Sequence, residues 1–212
     1  MQRICILCGK PAEIENFCSD CWLKKNELFS IEDFEITVCD CGSYYYKGEW
    51  RKFEDLEDLI EQLVRHRIKT ENKIIKIEVK LKKIGTVYKA TIKAEGYIPP
   101  CEKVKEEEKQ IRIKIRKRKC ERCVKILSNY YEAVFQVRRC EIPTEISNII
   151  SDYVTRIEEK KDGYDIFLID KKVAKKAVKE LKELGFKIKV SYKFVGMKKG
   201  KRLYRDFYFI TR

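Results

Sequence analysis

The sequence predicts an α+β protein: N-terminal four-cysteine modules carrying an antiparallel β insertion, followed by a small α+β domain. Three observations predict it. Eight of the ten cysteines fall into four close pairs. Apolar and charged residues alternate over residues 73–96 and again over 110–119. From residue 143 onward, helical and strand periodicities follow one another in the order α-β-α-β-β. The expected domains are therefore residues 1–140 and 141–212.

The cysteine pairs come first along the chain: Cys5-Ile-Leu-Cys8-Gly9, Cys18-Ser-Asp-Cys21, Cys39-Asp-Cys41-Gly42 and Cys120-Glu-Arg-Cys123. Two thiols two or three positions apart face one ion across a tight turn, whereas a disulfide between them is strained. Glycine after the second cysteine lets the backbone turn its amides toward sulfur. Eight thiolates suffice for two tetrahedral zinc sites, so the expectation is two structural Zn2+ ions in treble-clef-like or zinc-ribbon-like modules. The ligands are Cys5, Cys8, Cys18, Cys21, Cys39, Cys41, Cys120 and Cys123. Two groupings are open. In the sequential one, Cys5/Cys8 join Cys18/Cys21, and Cys39/Cys41 join Cys120/Cys123 across a long insertion. In the cross-braced one, Cys5/Cys8 share an ion with Cys39/Cys41. The sequential grouping is favoured because it closes one short loop. Catalytic zinc keeps an open position and commonly a histidine. The single histidine, His66, sits in a helix-like run and reads as a surface residue, so no catalytic residue is expected. Cys101 and Cys140 lack close partners and read as ordinary thiols.

Residues 54–68 read as an amphipathic helix with Leu56, Leu59, Ile60, Leu63 and Val64 on one stripe. A hairpin follows, with Ile75, Ile77, Val79 and Leu81 pointing inward on its first strand and a turn at Ile84-Gly85-Thr86. Residues 99–109 read as a charged loop. In the strand at 110–119, Ile111, Ile113 and Ile115 face a core, while Arg112, Lys114, Arg116 and Arg118 line the opposite side with Lys117 and Lys119 beside them. Such a stripe suits phosphate contacts; the competing reading is an edge strand protected by charge. Tyr44-Tyr45-Tyr46 and Trp50 either stack on bases or cover a metal module too small for its own core. Tyr131, Ala133, Phe135 and Val137 mark another strand, and with the 110–119 strand it flanks Cys120/Cys123 as in a zinc ribbon.

In the last third, Pro143 opens a helix whose stripe is Ile146, Ile149, Ile150, Tyr153, Val154 and Ile157. Asp162-Gly163 turns into a strand at 164–169. Asp170 caps a second helix with Val173, Ala174, Ala177, Val178, Leu181 and Leu184 inward, ended by Gly185. Lys175, Lys179 and Lys182 cover its outer side and form a second candidate RNA-binding set. Two strands at about 186–195 and 203–210, joined by residues 196–202, complete the chain.

Net charge is +14, unevenly placed. Residues 1–42 carry a net of −4, residues 43–119 a net of +9 and residues 120–212 another +9. A basic body behind an acidic, cysteine-rich head suits a polyanionic partner. A heat-adapted surface would explain the number of charges but not their imbalance. No apolar run approaches the roughly 20 residues of a membrane helix, and the first residues lead straight into a cysteine pair, so neither membrane nor secretory targeting is expected. The expectation is a cytoplasmic protein. There is no phosphate-binding glycine loop and no nucleophile–histidine–acid set.

The order CxxCG, CxxC, CxCG and a distant CxxC, followed by Ser128-Asn-Tyr-Tyr-Glu-Ala-Val-Phe-Gln-Val-Arg138, resembles the nonsense-mediated decay protein three family. Asp162-Gly-Tyr-Asp-Ile-Phe167 and Ser191-Tyr-Lys193 are similar to later family motifs. Eukaryotic members are export adaptors of the 60S ribosomal subunit. They bind the subunit-joining face late in assembly, near the tRNA sites, and the eight cysteines match the family's two zinc sites. Because this sequence stops at Arg212, before a domain resembling translation factor five A and a nuclear transport tail, it resembles a short archaeal form. The resemblance implies a non-enzymatic factor that binds ribosomal RNA of the large subunit, blocks premature subunit joining or tRNA access, and is a monomer away from the ribosome. The alternatives are a zinc-containing RNA-processing enzyme and a zinc-ribbon transcription accessory protein.

Overall fold

The computed structural model describes residues 3–212. The chain packs as two units, the first ending at Arg118 and the second running Lys119–Arg212.

The first unit begins with a cysteine-rich head and a short helix, α1 (Ser19–Lys25). Then come β1 (Phe34–Cys39), β2 (Ser43–Tyr46), β3 (Glu49–Lys52), α2 (Leu56–Arg67), β4 (Lys73–Ile84), β5 (Val87–Tyr97) and β6 (Val104–Lys117). The six strands form one sheet in the order β3-β2-β1-β6-β5-β4. Every pairing is antiparallel except β1 with β6. α2 begins where the Asp55 carboxylate accepts the amides of Glu57 and Asp58 at 2.7 and 2.9 Å. Its Ile60 and Val64 share a core with Ile36, Val38, Ala90, Ile92 and Ile113 of the sheet. Full burial of a side chain of this size contributes about 1.5–3 kcal/mol, so this face holds the unit together and leaves the opposite face of the sheet open.

Two sequence expectations change here. A register shift between Ile74 and Lys76 turns Ile74 inward, so Ile75, expected beside Ile77 in the core, is 55% exposed. Residues 104–109, expected in a loop, belong to β6 and pair with β5 from Val104↔Tyr97 to Lys109↔Ile92. Their inward positions are charged rather than apolar, which hid the strand. Lys105 and Lys109 flank Glu107 at 2.6 and 3.2 Å, and Glu107 also accepts the Leu28 amide at 2.9 Å. Each half-buried charge is thereby met by another.

The second unit comprises α3 (Glu121–Leu127), β7 (Ala133–Arg138), α4 (Thr144–Ile150) with a 3-10 turn at Ser151–Tyr153, β8 (Val154–Lys160), β9 (Gly163–Leu168), α5 (Lys171–Glu183), β10 (Lys187–Lys198) and β11 (Lys201–Thr211). The sheet order is β10-β11-β7-β9-β8. Ile146 and Ile150 of α4 and Ala174, Ala177 and Leu181 of α5 pack on Phe135, Val137, Ile166, Leu168, Tyr208 and Ile210.

The expected boundary at residue 140 therefore falls inside this unit, because β7 is the middle strand of its sheet. The expected helix reaching Ile157 ends at Ile150; β-branched Val154, Thr155 and Ile157 lie in β8, paired with β9. The final hairpin is longer than expected. Its strands run to Lys198 and from Lys201 around a Lys199-Gly200 turn, both residues with positive φ. Leu184, expected inward, is 54% exposed just beyond α5.

Gly163 opens β9 with φ +148°, and a Cβ there would stand 2.1 Å from the Val137 carbonyl oxygen on β7. Gly163→Ala is therefore expected to lower the stability of this unit by about 2 kcal/mol or more. Urea denaturation of the variant against the parent measures it, and an unchanged midpoint would contradict the close approach.

Candidate metal centres and basic faces

The eight paired cysteines gather into two groups, Cys5/Cys8/Cys18/Cys21 and Cys39/Cys41/Cys120/Cys123, each with its four sulfurs within 4.8 Å of one another. This is the sequential grouping; the cross-braced set does not form. Among the described residues these are the groups of three or more histidine, cysteine or acidic side chains able to hold a metal ion.

Both groups are built alike, from one tight turn and one helix start. In the first, the Cys5 amide donates to the Lys10 carbonyl at 2.7 Å and the Gly9 amide to the Cys5 carbonyl at 2.8 Å, folding a knuckle around Cys8. Gly9 has φ +74°, which closes it. The second half is α1: Cys18 is its N-cap, Cys21 lies in its first turn, and the Trp22 amide donates to the Cys18 carbonyl. Phe17 and Trp22 pack beside the sulfurs, their rings 6.3 Å apart. In the second group the knuckle is Cys39-Asp-Cys41-Gly42, with Gly42 at φ +74° and its amide donating to the Cys39 carbonyl at 3.1 Å. The helix start is α3, where Cys120 is the N-cap and its sulfur accepts the Cys123 amide at 3.4 Å. The parallel register Val38↔Lys117 and the bond from the Arg118 amide to the Val38 carbonyl at 2.9 Å bring the two halves together. Cys123 lies within α3, and the strand expected after it forms as β7.

The sulfur geometry suits a tetrahedral ion. A metal–sulfur bond of about 2.3 Å places sulfurs about 3.8 Å apart, and Cys8 and Cys18 stand at 3.5 Å. Burial opposes ionisation of Cys5, but amides from Cys18, Leu7 and Cys8 outweigh it and bring its thiol down to about 6. The adjacent Cys18 and Cys8 sulfurs push Cys21 up to about 12. Amide donors and helix starts favour the first thiolates of such a set; a dication supplies the charge that holds four together. Neither Cys101, which is buried, nor Cys140 belongs to a group, and His66 is exposed.

On β6, Arg112, Lys114 and Arg116 lie on the open face, Lys117 ends the strand on the Ile115 side, Arg118 and Lys119 follow it, and all six are exposed. Three of these cations have acidic neighbours, a feature absent from the sequence reading. Asp33 accepts both the amide and the guanidinium of Arg112, at 2.8 and 3.0 Å, and these bonds hold its carboxyl below the usual range. Glu35 lies 3.6 Å from Arg116 and Asp40 lies 2.9 Å from Lys117. The β1–β6 register sets these contacts: Glu35 is level with Lys114 and reaches diagonally to Arg116. Among the described residues, Lys114, Arg118 and Lys119 have no carboxylate at ion-pair distance, although Glu35 faces Lys114 across the β1–β6 ladder. Lys175, Lys179 and Lys182 are exposed on α5, in the second unit; Lys179 lies 3.9 Å from Glu183. Tyr45 and Trp50 pair across the β2–β3 hairpin with ring centroids 5.5 Å apart, while Tyr44 packs on Phe53.

Among the described residues no helix is long and apolar enough to cross a membrane. No curated protein matches the chain. Two family models do: NMD3, N-terminal domain, over residues 5–128, and NMD3, second domain, over residues 108–211. The members of that family are non-enzymatic adaptors of ribosome biogenesis and export, associated with the large ribosomal subunit. With both models together spanning nearly all of its 212 residues, and two four-cysteine clusters in place, the chain belongs to the NMD3 family.

Proposed function

We propose that this protein is a late assembly factor of the large ribosomal subunit that holds ribosomal RNA on the subunit-joining face. Occupancy is its mechanism: while bound, it keeps the small subunit and tRNA away. The observation that carries the reading is the match to both NMD3 domains over residues 5–211. The charge of +14 supports a polyanionic partner, and Lys114 on β6, with Arg118 and Lys119 just after the strand, are the cations readiest to meet phosphate. Arg112 and Arg116 exchange an exposed carboxylate for a phosphate at little loss, because exposed ion pairs are weak. Lys175, Lys179 and Lys182 form a second contact. The protein works in the cytoplasm and is a monomer away from the ribosome.

Each four-cysteine group holds one structural zinc ion, which neutralises the thiolates and ties a knuckle to a helix start. Elemental analysis should give two zinc ions per chain. Cys5→Ser should lose one and unfold the head, whose own core is little more than Cys5, Phe17 and Cys18. Metal-free protein with a folded head would refute the assignment.

In a sucrose gradient of native extract, the protein should travel with free large subunits and be scarce in joined ribosomes and polysomes. A basic protein of equal charge serves as the control, since charge alone binds both subunits. Equal binding to small and large subunits would reduce the protein to a nonspecific RNA binder. In purified form, affinity for ribosomal RNA should fall steeply with salt. Changing Lys114, Arg118 and Lys119 to Ser should lower the logarithmic slope by about 2.

A further inference from the structure

The strand register of the first unit places side chains on the open sheet face that stand far apart in the sequence. Lys82 on β4 faces Lys89 on β5, and Lys89 faces Arg112 on β6. Two rows further along β6, past Lys114 and the Glu35 that faces it, Arg116 faces Thr37 on β1, Thr37 faces Tyr45 on β2, and Tyr45 faces Trp50 on β3. Paired residues share a face, so cations and the Tyr45–Trp50 pair lie on one continuous surface crossing all six strands. At about 4.8 Å per strand it spans roughly 24 Å. Lys82, Lys89 and Lys114 are exposed; among the described residues none has a carboxylate at ion-pair distance, and Glu35 faces Lys114 across the β1–β6 ladder. Tyr45 is 43% exposed and Trp50 half-buried.

The far end of the same face has the opposite character. Lys76 pairs with Glu78 at 2.7 Å and Lys93 with Glu108 at 3.2 Å, and Glu95 faces Glu106. One half of the face is neutralised internally and the other half is cationic and ends on aromatic rings. A uniformly protective surface charge has no need of that division, and an acidic protein partner has no need of two rings beside it. Cations that follow a backbone and rings that accept bases are the combination that binds single-stranded nucleic acid.

From this we infer that the open face of the first sheet is a platform for a single-stranded RNA segment, with its backbone on Lys82, Lys89 and Lys114 and its bases stacked on Tyr45 and Trp50. The inference rests on the assembly-factor reading only in taking RNA as the partner. It adds the class of RNA and the residues that choose it: a rigid duplex keeps its bases stacked inside and offers no ring to Tyr45 or Trp50.

The test uses the full chain and an oligouridylate of about ten nucleotides, alone and annealed to its complement. The single strand should bind more tightly than the duplex and quench tryptophan fluorescence, and Trp50→Phe should remove that quenching. The other tryptophan, Trp22, packs on Phe17 in the head. Tyr45→Ala and Trp50→Ala should each weaken single-strand binding about tenfold, with circular dichroism and bound metal unchanged. Lys82→Ser with Lys89→Ser should lower the salt slope by about 1.4. Equal affinity for duplex and single strand, or aromatic variants that bind as the parent does, overturns the platform. If the parent still travels with large subunits in that case, the assembly-factor reading stands without it. A parent chain that binds neither subunit nor RNA overturns both.

Discussion

The parallel ladder between β1 and β6 is the constraint on which the first unit depends. It joins segments almost eighty residues apart in sequence, from Phe34↔Ile113 to Val38↔Lys117. Three consequences follow from its register. Cys39 at the end of β1 comes level with the residues leading to Cys120, so a four-sulfur group forms from pairs that sequence separates widely. Asp33 and Glu35 come beside Arg112 and Arg116. The β2–β3 hairpin, with Tyr45 and Trp50, is carried onto the same sheet as the long strands β4, β5 and β6. A slip by one residue would turn Ile111 and Ile113 out of the core and the arginines into it, so the core specifies the register and the register specifies the sites.

Closing a chain over that distance is costly in entropy, though the cost grows only slowly with loop length. The intervening residues lower it further by forming structure of their own: α2 and the long β4–β5–β6 meander are local pairings made between neighbouring segments. The head is a different case. Its buried cluster is small, and Ile4, Ile6 and Leu7 around the first knuckle are more than 60% exposed. Burial at that scale cannot order a module by itself, and the head instead gathers Cys5, Cys8, Cys18 and Cys21 into a group able to hold a metal ion. The same chain thus uses hydrophobic burial where strands are long and, on the proposed reading, sulfur ligation where segments are short.

Much of this was legible in the sequence, and the failures share a cause. The α2 stripe, the β4–β5 hairpin, the Asp170 cap and the eight cysteines each carry a local signal, and each is found where that signal places it. Residues 104–109 were misread because Lys105, Glu107 and Lys109 satisfy one another on an inward face that pattern reading expects to be apolar. The helix drawn through Ile157 failed because Ile146, Ile149, Ile150, Tyr153, Val154 and Ile157 fit one helical stripe, while the actual short helix and strand use the same residues with a change of period at Tyr153. The boundary at residue 140 failed because β7 pairs with β11, about seventy residues later, and no local pattern reports a parallel partner. The sulfur grouping was readable from loop length; the acidic partners of the arginines were not, because they depend on the β1–β6 register.

On the proposed reading, the division of charge on the open face answers competing demands of folding and RNA binding. Cations held a strand apart repel one another in the free protein, and the repulsion is weakened but not abolished by salt. The face tolerates this because its other side carries the largest apolar core of the first unit, with Ile60, Val64, Ala90, Ile92 and Ile113 fully buried. It also tolerates it because Asp33 and Glu35 lie on the β1 side, where they pair with Arg112 and Arg116, and Glu35 stands directly across the ladder from Lys114. Carboxylates placed among the lysines would stabilise the free protein further and repel phosphate by the same amount of charge. Placed beside the arginines, they quiet the free state and can be exchanged, since an exposed pair binds weakly and a phosphate offers the guanidinium the same geometry.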